Sequence, residues 1–478
     1  MGFLWYDLET FGRDPRRSRI AQFAAIRTDD DLKEIEDPIS LFCRPATDLL
    51  PSPMAALITG ISPQRAEREG LGEAEFMARV YEQMRVPGTC SVGYNSLRFD
   101  DEFIRFGLYR NFFDPYEREW RDGNSRWDLI DVLRLAHALR PEGLAWPRRE
   151  DGATSFRLED LAAGNGVREG EAHEALSDVR ALLGLARRLR EAQPKFWEYA
   201  LRLRNKRHVQ SLLDIAGHGP VFHVSGRLPA ARRHAGLMAP LGRDPIIENR
   251  VVLYDLAIDP AHFDGLAADE LQDRLFTRRD ELPEGVIRLP IKRIEANRCP
   301  VVLPLAHLRD SELDALGLDR RLAERHAEAL RERPDFVAAC TALLTAPHGD
   351  EAEDPDGALY AGFVPDADRR RFAQVRSTPA AALPALASQF ADARCRELLF
   401  RYQARNWPES LDHRQAEAWD DYRRRRFAPG SRLGELDAPA FFEELQAARQ
   451  RDADGHATAL LDAVEAWGRA RLAEVGLD

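Results

Sequence analysis

Apolar runs near the N-terminus predict strands separated by helices. The run "FLWYDLET" (3–10) is almost wholly apolar and aromatic, and "IAQFAAIRT" (20–28) follows it after the polar connection "GRDPRRS". The two read as neighbouring strands. "TCSVGYNS" (89–96) is a shorter third strand. Helical spacing of apolar positions then marks "DEFIRFGLYRNFF" (101–113) and "ALSDVRALLGLARRLREA" (175–192). Strands interleaved with helices over residues 1–193 predict an α/β layer structure.

The pattern changes after residue 193. "VFHVSGRL" (221–228), "RVVLYDLAI" (250–258), "VIRLPIKRI" (286–294) and "CPVVLPL" (299–305) are short β-rich runs separated by turns or helical inserts. They predict a small, mainly antiparallel β domain over 194–350, closed by a helical stretch near 319–346. The acidic, Pro- and Gly-bearing "PHGDEAEDPDGA" (347–358) reads as a linker. From 351 to 478 the chain reads as an all-α domain. In "LDAPAFFEEL", Asp437 is an N-cap and Pro439 lies in the first turn.

Composition narrows the class. At 478 residues the chain has room for about two to four domains, and 44% apolar residues supply ordinary globular cores. No run approaches the ~18 apolar residues of a membrane span, and the N-terminus lacks a signal-peptide pattern. Five scattered cysteines fit a reducing cytoplasm. The net charge of −12 argues against a nonspecific nucleic-acid coat. It leaves a nucleic-acid enzyme open, because the relevant charge is local. "RLRNKRH" (202–208), "RRRFAQVR" (369–376) and "RRRR" (423–426) are basic runs, each also consistent with a solvated helix face.

Candidate chemistry begins inside the first strand. Alternation puts Asp7 and Glu9 on one face, within reach of one hard divalent cation such as Mg²⁺. The same spacing recurs at Asp100/Glu102 and Asp310/Glu312, so the apolar context is what distinguishes the first pair. Asp100 and Asp101 open a predicted helix, where acids also serve the macrodipole. His173 precedes Asp178 by five residues. In one regular helix they would point about 140° apart, which places His173 at the helix entry. Together, Asp7, Glu9, Asp100 and Asp178 would repel one another unless cations neutralised them. Two Mg²⁺ ions would clamp a scissile phosphate and acidify a water, with His173 accepting the proton.

"YDLET", "NSLRFDDE" and "HEALSD" resemble the three motifs of the DEDD exonuclease superfamily in its His-bearing subclass. "LITGISPQ", "GNSRWDLIDV", "LRPEGLAWP", "SFRLEDLAAGNG", "RNKRH", "HVSGRL", "LYAGFVPDADR" and "LLFRYQARNWPESLDH" extend the resemblance, over essentially the whole chain, to the bacterial exodeoxyribonuclease I family. It implies a ribonuclease-H-like exonuclease domain (1–193), a small Src-homology-like β-barrel domain (194–350) and a helical C-terminal domain (351–478), forming a clamp around the strand. The implied activity is processive 3′→5′ hydrolysis of single-stranded DNA to 5′-mononucleotides by a cytoplasmic monomer serving DNA repair and recombination. The resemblance gives Asp7, Glu9 and Asp178 as ligands of two Mg²⁺ ions (Mn²⁺ being an alternative), Asp100 as the completing acid and His173 as general base. Around the first Asp the family often carries His and Tyr, where this chain has Tyr6 and Leu8.

The resemblance also gives substrate contacts at Glu9, Arg157, Arg105, Tyr116, Trp120, Arg134, Asn249 and Lys292. Rings there would stack bases and cations would track phosphates, although each ring could equally be core. Arg157 has Glu159 and Asp160 as competing partners. A further set, Arg140, Tyr199, Arg309 and Arg331, matches positions that hold the acidic C-terminal tail of single-strand DNA-binding protein, whose carboxylate suits Arg forks over an apolar pocket. Three alternatives stay open. An exonuclease of RNA or short oligonucleotides is disfavoured by the residues beyond 193. A silent binding scaffold is disfavoured by the complete acid set. A structural Ca²⁺ site is disfavoured because "DLET" lacks the Asn and Gly of a calcium loop.

Overall fold

The apolar run that opens the sequence becomes a central strand. The computed structural model describes residues 2–168, 174–278, 280–344 and 354–477. Its first sheet comprises β1 (Gly2–Thr10), β2 (Ile20–Thr28), β3 (Ile39–Phe42), β4 (Thr89–Gly93) and β5 (Ser125–Asp128), in the order β3-β2-β1-β4-β5. β1 pairs antiparallel with β2 and parallel with β4. A strand flanked on both edges and covered on both faces must be apolar throughout. Leu4, Tyr6 and Leu8 point into a core with Phe23 and Ala25 of β2, with Phe76, Met77 and Val80 of the Glu73–Met84 helix, and with Phe103, Ile104 and Leu108 of the Asp100–Arg110 helix. On the opposite face the Trp5 indole donates to Thr28 Oγ1 at 3.0 Å.

Two compact units emerge. One comprises Met1–Ser125, Arg168–Leu183 and Asp350–Asp478, the other Arg126–Val167 and Gly184–Gly349. In the first unit, the C-terminal segment shares a core with the Asp100–Arg110 helix. Phe106, Tyr109 and Phe112 pack with Phe372, Leu383, Phe390, Leu398 and Tyr402. Beside that core lies a buried ion network. Arg405 bridges Asp48 at 2.8 Å and Asp356, Arg19 reaches Asp356 at 3.2 Å, and Arg401 reaches Asp354 at 2.7 Å. Burial alone would raise the carboxyl groups of Asp48 and Asp356. The surrounding arginines override it and hold both well below the usual range. The anticipated N-cap is present: Asp437 accepts the Ala440 N–H at 2.9 Å and opens the Ala438–Arg451 helix.

The second unit is built on an antiparallel sheet of β6 (Val221–Val224), β7 (Ala235–Arg243), β8 (Arg250–Asp255), β9 (Ile291–Glu295) and β10 (Val301–Pro304), in the order β10-β6-β7-β8-β9. The four runs expected to form strands do so, and β7 is an addition. Pro240 and two glycines hide it in the sequence, and the register shifts between Pro240 and Gly242. A Cβ at Gly242 would lie 2.8 Å from Thr341 Oγ1, so the close approach requires glycine. The helices Arg320–Arg331 and Pro334–Leu343 occupy the expected helical stretch. Most of the expected linker lies outside the described residues. Among the described residues no helix is long and apolar enough to cross a membrane, and the five cysteines are buried and unbridged.

Candidate active site

The parallel pairing of β1 with β4 ends at Trp5↔Val92. Asp7 and Glu9 therefore lie beyond the paired stretch, toward the carboxyl ends of both strands, where open α/β sheets place their sites. A register shift between Glu9 and Thr10 ends the regular ladder there. β4 leads through a turn to Asp100, first residue of the Asp100–Arg110 helix and 5% exposed. Asp178 lies in the first turn of the Ala175–Ala192 helix.

Three of the four acids meet closely. Asp7, Glu9 and Asp178 each offer an oxygen within 4.8 Å of the others. Asp100 lies outside that set but close enough to raise both strand acids electrostatically. Burial is the main cause that pushes Asp7 up, followed by Asp100, Glu9 and Asp178. Burial, Asp178 and Asp100 push Glu9 up to about 9. Acids this close, one buried and two half-buried, fit an all-oxygen site for a hard divalent cation, which would relieve the repulsion. His173 lies outside the described residues.

Sequence reasoning missed one partner of this cluster and a buried contact behind it. Arg168 Nη1 lies 2.7 Å from Asp178 Oδ1, giving that acid a cationic neighbour. Behind β1, the Tyr6 hydroxyl donates to Asp101 Oδ1 at 2.9 Å, and Arg118 Nη2 reaches the same oxygen at 2.6 Å. Burial and the charge of Asp101 keep the Tyr6 phenol protonated. The doubled acid in "FDDE" was the available signal for Asp101. Arg168 and Arg118 had none.

The anticipated substrate contacts divide by exposure. In the first unit, Trp120 is 68% exposed. Tyr116 is half-buried beneath the Arg105 guanidinium, 5.3 Å from its ring centre. Arg105 is buried, with donors committed to Glu119 at 2.7 and 2.9 Å, Glu102 at 3.0 Å and Tyr360 at 3.1 Å. The guanidinium expected to contact phosphate is held here by acids and a tyrosine of the same unit. In the second unit, Arg157 is exposed and paired with Glu159. Arg134 bonds Asp131 at 2.6 Å and lies over Phe156. Lys292 Nζ is 2.8 Å from His223 Nε2. Asn249 is half-buried, its carbonyl accepting from Ala296 at 2.8 Å.

The residues matched to a partner tail all lie in the second unit. Arg140 and Arg309 converge on Glu312 Oε1 at 2.6 and 3.0 Å. Burial opposes ionisation of Glu312, but hydrogen bonds from both arginines bring it down to about 2. Tyr199 donates to the Val302 carbonyl at 3.0 Å. Arg331 donates to the Gly217 carbonyl at 2.8 Å. With Arg243 it flanks a cavity of about 500 Å³ lined by Leu241, Pro334 and Val337.

Three family models match the chain: "Exonuclease" over residues 4–186, "Exonuclease I SH3-like domain" over 204–345 and "Exonuclease I C-terminal domain" over 353–471. The exodeoxyribonuclease I of Escherichia coli strain K12 is 42% identical over 453 residues, 95% of this chain and 94% of that protein. The chain belongs to the exodeoxyribonuclease I family. It therefore combines a ribonuclease-H-like exonuclease domain, an SH3-like domain and a helical C-terminal domain, as the sequence reading expected. A crystal structure of E. coli exonuclease I in complex with a dA16 oligonucleotide superposes with a TM-score of 0.94 at 40% identity, covering 98% of this chain and 99% of that one. A zinc-bound form of the E. coli exonuclease I complex with single-stranded DNA gives 0.93 at the same identity and coverage. The family membership makes this chain an exonuclease of a family that includes a metal-bound member.

Proposed function

We propose that this exodeoxyribonuclease I family member hydrolyses single-stranded DNA processively from the 3′ end, releasing 5′-mononucleotides. The observation that carries the reading is the convergence of half-buried Asp7 and buried Glu9 from β1 with half-buried Asp178 from a separate helix, their oxygens within 4.8 Å. Their oxygen-only donor set suits two Mg²⁺ ions, with Mn²⁺ an alternative. Bound there, the ions would acidify the attacking water and neutralise charge on the phosphate. Asp100 completes the negative field. His173, five residues before Asp178 in the sequence, accepts the proton. The relatives crystallised with dA16 and with single-stranded DNA support the substrate class.

Glu9 also faces the substrate, and exposed Arg157 and Trp120 are the most available strand contacts, the first for phosphate and the second for stacking. Tyr116, Arg134, Asn249 and Lys292 extend that set. The domain assignment is 1–193 for catalysis, 194–350 for the SH3-like module and 351–478 for the helical domain. The chain acts as a cytoplasmic monomer in repair and recombination. The acidic tail of single-strand DNA-binding protein docks through Arg140, Tyr199, Arg309 and Arg331, its carboxylate competing with Glu312 for the paired arginines.

A 5′-labelled single-stranded oligonucleotide with Mg²⁺ tests the reading. Wild type produces a ladder shortening from the 3′ end, and Asp7→Ala abolishes it. Equal digestion by both proteins, or none by wild type, refutes the assignment.

A further inference from the structure

Tyr6 directly precedes Asp7 on β1, and Asp101 directly follows Asp100 in the first turn of its helix. A strand turns successive side chains to opposite faces, so Tyr6 points into the apolar layer behind the acids and does not face the cluster. There its hydroxyl meets Asp101 Oδ1 at 2.9 Å, and Arg118 Nη2 meets the same oxygen at 2.6 Å. Each of the three is 1% exposed. A buried ion pair is weak support for stability, since apolar residues of similar volume do as well or better. What it supplies is register, because one oxygen must satisfy two donors from separate elements. Arg118 also cancels a carboxylate that would otherwise add to the negative field of Asp7, Glu9, Asp100 and Asp178.

We infer that Tyr6, Asp101 and Arg118 are positioning residues that lock β1 to the Asp100 turn and thereby set where Asp7 and Glu9 stand relative to Asp100. The inference rests on the cation-site reading above. Asp7 and Asp100 come from different segments, and Tyr6–Asp101 is a side-chain bond joining the residues next to them. A displacement of about 1 Å at such a site costs up to ~10²-fold in rate.

The test uses the full chain with Mn²⁺ as probe, titrated by electron paramagnetic resonance, together with steady-state digestion of a single-stranded oligonucleotide. Tyr6→Phe removes one hydroxyl and keeps the packing. It is expected to weaken Mn²⁺ binding and lower kcat by about 10-fold each, as losses of supporting hydrogen bonds around metal sites do, with KM for the oligonucleotide unchanged. Asp101→Asn keeps an acceptor for Tyr6 and is expected to lose less Mn²⁺ affinity than Asp101→Ala. Should Asp101→Ala fail to fold, Tyr6→Phe alone decides. A Tyr6→Phe protein that melts lower but binds Mn²⁺ and turns over like wild type overturns the inference and leaves the cation site standing. A wild type that neither binds Mn²⁺ nor shortens the strand overturns both.

Discussion

Replacing Glu9 with glutamine removes one ionisable group from the acid cluster at nearly constant volume. In the folded protein without added cations, Glu9 is pushed from its ordinary 4.5 up to about 9. A group whose folded pKa is raised contributes full stability below its unfolded pKa, and that contribution is lost as pH rises through the folded value. Between pH 4.5 and 9 the wild-type protein must therefore hold a proton that the unfolded chain releases. At pH 7 this costs about 3 kcal/mol, taking 1.36 kcal/mol per pH unit above 4.5. Coulomb's law gives the same scale: two unit charges 4.8 Å apart repel by about 3.5 kcal/mol at an effective dielectric of 20. Glu9→Gln is thus expected to stabilise the chelator-treated protein by about 3 kcal/mol at pH 7. That is about 6 °C at roughly 2 °C per kcal/mol for a large unit. The gain should vanish at pH 4.5 and be largest near pH 9. With Mg²⁺ the order reverses, because wild type gains binding free energy that the variant loses. Thermal unfolding in EDTA and in Mg²⁺ at three pH values reads all of this. A variant less stable than wild type in EDTA at pH 7, or equal Mg²⁺ stabilisation of both proteins, refutes the reasoning.

Three further outcomes are expected. Asp356→Asn leaves Arg405 and Arg401 short of a buried counter-charge and should cost about 3–5 kcal/mol in thermal denaturation. Because Asp48 and Asp356 are held below the usual range, their contribution is complete above about pH 4 and disappears as pH falls further. Wild-type melting should therefore drop steeply below pH 4, and less steeply in the variant. Arg105→Ala removes the shared guanidinium of half-buried Glu119 and Glu102. It should lower stability by about 3 kcal/mol, and calorimetric unfolding should report the loss. Arg157→Ala removes an exposed side chain paired with one glutamate, so melting should change by less than about 0.5 kcal/mol, while KM for single-stranded DNA rises about 10-fold in initial-rate measurements.

The strands and helices that carry the acids were legible because their patterns are strong: β1 is apolar on both faces, and the helix bearing Asp178 keeps its period over Ala175–Ala192. β7 was illegible because Pro240, Gly236 and Gly242 remove the usual strand signal, which tertiary packing overrides. The pairing of Arg105 with Glu119, fourteen residues away, was not legible, because sequence alone does not show which acids an arginine meets. Tyr6, Asp101 and Arg118 posed the same difficulty, since each has an ordinary local role and acquires another only when β1 and the Asp100 turn come together.

The first unit is assembled from both ends of the chain, and this bears on the order of its birth on the ribosome. Asp7, Glu9, Asp100 and Asp178 have all been translated by residue 183, but Asp356, Arg405 and Arg426, which complete the network around Arg19 and Asp48, arrive later. At synthesis rates of ~5–20 residues per second, the interval from residue 183 to residue 426 lasts about 10–50 s. During that interval Arg19 has only Glu73 and Asp48 as counter-charges, without Asp356, Arg405 and Arg426, and Phe106, Tyr109 and Phe112 lack their C-terminal cover. A nascent chain in that state is a natural client for a chaperone. It also means that a truncated product, such as one from a broken message, would carry every candidate catalytic acid without the scaffold that fixes them.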